Sequence, residues 1–88
     1  MDKKPNLDQA KINYPCDWEY RIIGIDETLL KAAAAEIFGN RKYDLSFANL
    51  SKAGKYISLS IKTFVESEEV RNTIYAALAK HTAIKTVL

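Results

Sequence analysis

Eighty-eight residues with 48% apolar and 27% charged side chains describe one globular domain of ordinary composition. A net charge of +2 excludes the strongly basic stripe of a dedicated nucleic-acid binder, and the single cysteine, Cys16, excludes an intrachain disulfide or a cysteine-based metal cluster. No apolar run approaches the roughly 20 residues of a membrane helix, and the opening residues lack the apolar segment of a secretory signal, so a cytoplasmic location is expected.

Residues 1–13 are polar, include Pro5 and show no helical or strand period. They are expected to form a flexible N-terminal tail ahead of a single domain over residues 14–88. Tyr14-Pro15 predicts an extended entry, because proline disfavours helix in the residue before it.

A first strand is predicted over Asp17–Ile25, with Trp18, Tyr20 and Ile22 facing a core and Glu19, Arg21 and Ile23 alternating with them. Gly24 marks either a turn or a close approach to the backbone. Asp26 is a good N-cap for a helix, and Glu27 suits its positive end. Two rows, Leu29/Ala33/Ile37 and Leu30/Ala34/Phe38, predict a wide apolar stripe, and Gly39-Asn40 ends the helix.

A half-buried strand follows over Tyr43–Leu50, with Tyr43, Leu45 and Phe47 on one face and Asp44, Ser46 and Ala48 on the other. Residues 51–55 carry Gly54 and read as a hairpin connection. The strand over Lys55–Val65 alternates most cleanly, with Ile57, Leu59, Ile61 and Thr63 against Tyr56, Ser58, Ser60 and Lys62. Ser67 caps a second helix running to His81, with Val70, Ile74, Ala77 and Leu78 as its buried stripe, and a last strand is expected over Ala83–Leu88.

The chain is therefore one strand-helix-strand unit written twice. Right-handed crossovers in each half, interleaved, give an α+β, ferredoxin-like βαββαβ sandwich: a four-stranded antiparallel sheet of order 4-1-3-2 with both helices on one face.

One-sided cover leaves the other sheet face open, with Arg21, Ile23, Ser46, Tyr56, Ser58, Ser60, Lys62, Lys85 and Val87 expected on it. An RNA-recognition platform needs aromatic residues at alternate positions of the central strands. Only Tyr56 is offered there, followed by Ser58 and Ser60. A phosphate cradle of the acylphosphatase kind fails too, because the first loop, Gly24-Ile-Asp-Glu-Thr28, carries two acids and no arginine. A copper-chaperone reading fails for want of a Cys-x-x-Cys. His81 reads as a capping or surface histidine, Cys16 as a small, half-buried apolar residue beside Asp17, and Trp18 as a core anchor.

Three stretches carry a resemblance. Tyr14-Pro-Cys-Asp-Trp-Glu-Tyr-Arg-Ile-Ile-Gly24 resembles the opening of the YbeD-like family of small bacterial proteins. Ser51-Lys-Ala-Gly-Lys-Tyr-Ile-Ser-Leu-Ser-Ile61 looks like that family's central hairpin, and Ile84-Lys-Thr-Val-Leu88 is similar to its terminal strand. The family is described as of unknown function. The resemblance implies the ferredoxin-like fold, with a likeness to ACT-type regulatory domains. Such domains bind small effectors near the turn after the first strand, which makes Gly24, Ile25 and Asp26 the candidate effector turn.

The functional expectation is a non-enzymatic regulatory or interaction module with no catalytic, metal or cofactor residues. It would meet a protein partner or a small effector, act as a monomer or weak homodimer, and have no membrane association. Arg21, Tyr56 and Lys62 form the candidate interaction surface on the open face. The alternative is a weak nucleic-acid binder using Arg21, Lys52, Lys55, Lys62 and Lys85 on a basic open face, with binding that weakens steeply in salt.

Overall fold

The structure is a computed structural model that describes residues 12–51 and 54–88; the expected tail lies outside the described residues except for its last two positions. The elements follow the expected order: β1 (Cys16–Gly24), α1 (Glu27–Phe38), β2 (Tyr43–Leu50), β3 (Ile57–Val65), α2 (Glu68–Lys80) and β4 (Thr86–Val87). They build one antiparallel sheet of order β2-β3-β1-β4, which is the expected 4-1-3-2 read from the other edge. The Tyr14–Pro15 peptide bond at the entry is cis.

The sheet centres on β1 and β3, which pair from Cys16 opposite Val65 to Gly24 opposite Ile57. This register turns Tyr20 and Ile22 to the same side as Leu59, Ile61 and Val65, and all five are 0–1% exposed. Both helices cover that side. α1 begins where the Asp26 side chain accepts the Leu29 amide at 3.0 Å, and α2 begins where Ser67 Oγ accepts the Val70 amide at 3.2 Å. Each such cap is worth about 1 kcal/mol. α1 ends at Gly39, whose φ of +56° suits glycine, and whose amide donates to Ala35.

The details depart from expectation in four places. First, only one of the two rows on α1 reaches the core. Leu30, Ala33, Ala34 and Phe38 are buried, whereas Leu29 is 53% exposed, because its row is rotated away from the sheet. Second, Phe47 was placed on a half-buried face but is 56% exposed. The helices pack chiefly against β1, β3 and β4, and a bulge between Phe47 and Asn49 bends the outer half of β2 away. Third, β3 starts at Ile57 rather than Lys55, because the amides of Lys55 and Tyr56 both donate to Ser51 Oγ and belong to the turn. Fourth, β4 is short. Its regular part is Thr86–Val87, although backbone bonds to β1 run from Lys85 to Leu88. Ala83 serves the preceding turn instead, donating its amide to His81 Nδ1 at 3.1 Å.

α2 is tied to β1 by two contacts of one residue. The Tyr20 hydroxyl donates to the Arg71 carbonyl at 2.7 Å, and the Arg71 guanidinium lies 4.4 Å from the Trp18 ring centroid. Burial pushes the Tyr20 phenol up to about 12, with Arg71 and Arg41 opposing that shift.

Two outcomes are expected. Leu59→Ala should cost about 2–5 kcal/mol in denaturant unfolding, while Ser58→Ala, on the opposite face, should stay within about 0.5 kcal/mol. Equal effects would refute the register. Tyr20 keeps its proton in the folded chain at a pH where the unfolded chain has lost it. Stability should therefore be intact below about pH 10 and fall as the pH rises toward 12. Tyr20→Phe should flatten that decline; an unchanged alkaline profile in the variant would show that other groups set it.

Candidate functional site

The open sheet face is built by residues that alternate with the core-facing ones. Across it run three rows: Asp44, Lys62 and Glu19; Ser46, Ser60 and Arg21; and Asn49, Ser58 and Ile23. Phe64 and Asp17 lie at one end and Leu88 beside Arg21 at the β4 edge. The expected Val87 is not here. It pairs with Ile22 on the core side and is 8% exposed, because the register at β4 sends Thr86 and Leu88 outward instead.

This face is not basic. Its strand positions carry the carboxylates of Asp17, Glu19 and Asp44 against the cations of Arg21 and Lys62. The Glu19 carboxylate accepts from the Ser60 hydroxyl at 2.5 Å and lies 3.8 Å from the Arg21 guanidinium. Lys62 sits between Glu19 and Asp44 in the strand register. Phosphate contacts need unopposed cations, so this arrangement does not favour the nucleic-acid alternative. Lys52, one of the cations that alternative invoked, lies outside the described residues.

Arg21 and Lys62 lie on neighbouring strands near the middle of the face, but Tyr56 does not join them. It precedes β3, six residues from Lys62, which is roughly 20 Å along an extended chain. Its ring instead carries the Lys55 ammonium at 5.5 Å, at the hairpin end of the sheet. The three residues of the candidate surface therefore form two separate places.

The candidate effector turn is occupied by the chain itself. A side-chain carbon on Gly24 would come within 2.7 Å of the Ala83 carbonyl oxygen and 2.8 Å of a Leu30 methyl. The close approach that this glycine permits is thus internal, of α1 and the turn before β4 onto the end of β1. Asp26 is spent on the helix cap, and Ile25 points outward at 60% exposure. No hollow remains at this turn for a small molecule.

At the opposite end of the sheet lies an open depression of about 720 Å³, lined by Asp17, Arg41, Lys42, Asp44, Lys62 and Phe64, among others. Its Arg41 is already engaged, donating to the Phe64 carbonyl at 2.9 Å and to the Glu66 carboxylate at 3.2 Å. Glu66 is held below the ordinary carboxylate range, first by its own backbone amide and then by Arg41.

Two features escaped the reading of the sequence. The acids of the open face were legible, since alternation alone places Glu19 and Asp44 beside Arg21 and Lys62. The outer edge of β2 was not, because its exposure depends on where the helices end. That edge offers eight residues of strand unpaired on one side, with Asp44 as its only ionisable acid or base, and with Phe47 and Leu50 at 56% and 50% exposure.

A model of a family described as "Protein of unknown function (DUF493)" matches residues 9–88. A Helicobacter pylori protein is 34% identical over 80 residues, covering 89% of this chain and 85% of its own. A UPF0250 protein of Pseudomonas putida is 33% identical and covers 97% of this chain and 98% of its own. The solution structure of protein HP0495 from H. pylori superimposes with a TM-score of 0.77 at 27% identity, over 100% of this chain and 98% of that one.

Gly24→Ala tests the filled turn. The new methyl must displace Leu30 or the Ala83 carbonyl, and overpacking of this kind costs about 1–3 kcal/mol. A lowered thermal midpoint is expected. A variant as stable as the parent would mean that the turn before β4 yields easily and that space can open there.

Proposed function

Because the chain belongs to the DUF493 family of proteins of unknown function, to which its YbeD-like resemblance pointed, we propose a role from its own surface: a non-enzymatic interaction module that receives a protein partner along the β2 edge. The observation that carries this reading is the contrast between the two edges of the sheet. β4 presents a regular edge of two residues, whereas β2 presents eight. Exposed edges invite pairing, and proteins ordinarily blunt them with charge, proline or distortion. β2 has no proline, no lysine and one aspartate, and its bulge distorts only the end beyond Phe47.

Groups that might do chemistry are engaged in holding the fold. The ring of His81 accepts the Ala83 amide at Nδ1 and meets Glu36 at 3.0 Å through Nε2, joining the two helices. Cys16 is half-buried against the core. A regulatory role of the ACT type would place an effector at the turn after β1, and the crowding at Gly24 favours a protein over a small molecule there. No helix among the described residues is long and apolar enough to cross a membrane. A lone cysteine suits the reducing cytoplasm in which we place the protein.

The test is photo-cross-linking inside a cell that makes the protein. A benzophenone amino acid replaces Phe47 on the β2 edge, Ile23 on the open face, or Tyr75 on α2, which is 46% exposed. Adducts with another protein are expected from position 47. Adducts from position 23 or 75 alone would move the interface elsewhere, and none from any position would sink the proposal.

A further inference from the structure

The chemistry of the strand that fits this edge follows from the charges around it, given the reading just proposed. The middle of β2 is apolar and neutral where Leu45 and Phe47 share the helix side of the sheet. Asp44 faces the other side, opposite Lys62. Both ends are basic. Lys42 stands just before the strand, and Lys55 lies in the connection just beyond it, resting over Tyr56. Arg41 is discounted because Glu66 already binds it.

We infer that the β2 edge takes an extended segment of another protein as a fifth strand, and that the segment carries acidic residues on both flanks of an apolar, β-branched centre. The flat part of the edge, Tyr43 to Phe47, spans roughly 17 Å and sets the length of the central ladder at about five residues. Beyond it the bulge interrupts regular pairing. Backbone groups supply the attachment, and alternate side chains of the incoming strand meet Leu45 and Phe47.

A second copy of this chain fits the same edge worse. Two β2 strands related by a twofold axis run antiparallel, so Lys42 of each lies against the Lys55 end of the other. Like charges then meet twice, and each copy also carries a net charge of +2. An acidic-flanked strand turns both repulsions into attractions.

The test uses three fluorescein-labelled peptides and the full chain. One has two aspartates, a Val-Thr-Val-Thr-Val centre and two further aspartates; one replaces the aspartates with lysines; one places proline at the central valine. Fluorescence anisotropy should show the acidic peptide binding about tenfold tighter than the lysine peptide at low salt. The Lys42→Glu, Lys55→Glu double variant should lose that preference while unfolding at the parent temperature. The proline peptide should not bind. Amide resonances of Tyr43 to Phe47 should shift on titration. Equal affinity for the two charged peptides, or shifts confined to the open face, overturns the inference. So does a concentration-dependent dimer in light scattering with the β2 amides protected without peptide. Cross-linking from position 47 with no preference between the flanks would leave the interaction module standing and remove only the acidic strand. Loss of both would remove the two together.

Discussion

The pairing of β1 with β3 is the constraint on which everything else depends. Nine consecutive pairs fix which side of each strand faces the helices. A slip by one residue would turn Tyr20, Ile22, Leu59 and Ile61 to the open side and put Glu19, Arg21 and Lys62 beneath the helices. Burying those charges without partners costs far more than any local contact recovers. The register is therefore specified by the whole ladder rather than by any one residue. The outer strands inherit it, and so do the places where the helices sit.

On that frame, the polar groups of the described residues are used mainly to lock layers together. The carbonyl of Arg71 accepts from Tyr20 while its guanidinium covers Trp18, so one residue of α2 grips two adjacent core-side positions of β1. His81 joins α2 to Glu36 of α1 and shapes the turn into β4 through Ala83. That turn in turn sits against Gly24, where the absence of a side chain lets α1, β1 and the turn close on one point. The same absence that resembles an effector-binding turn is consumed by packing. A glycine read from sequence signals close approach, but not what approaches.

The fold was legible because each element announces itself by period and punctuation. Strict alternation marked β3, Asp26 and Ser67 marked the helix starts, and Gly39 marked a helix end. The interleaved strand order followed from handedness and repetition. What failed were statements about exposure. Leu29 and Phe47 are apolar at the right spacing, yet stand outside the helical cover, since period tells which residues share a face but not how far the opposite layer extends. Val87 was assigned to the wrong face because a strand of two regular residues is too short to show alternation. The candidate surface was only partly legible. Arg21 and Lys62 were placed on the correct face, but Tyr56 was carried onto it by parity alone, and Ser51 had claimed it for the turn.

The two edges of the sheet are unequal for a physical reason rooted in the repeated unit. Each half of the chain ends in a strand at a sheet edge. The first half's last strand, β2, returns directly through a hairpin, so it pairs along almost its full length with β3. The second half's last strand, β4, must first clear the crowded turn at Gly24 and pairs only near its end. Duplication of one motif thus yields one short edge and one long one. The long edge is also the one whose side chains the helices leave uncovered at Phe47 and Leu50. Backbone groups without partners and apolar side chains without cover coincide on β2 and nowhere else along the two edges. A surface that offers both at once supplies attachment and side-chain discrimination to the same incoming strand, which neither the charge-balanced open face nor the filled turn can do.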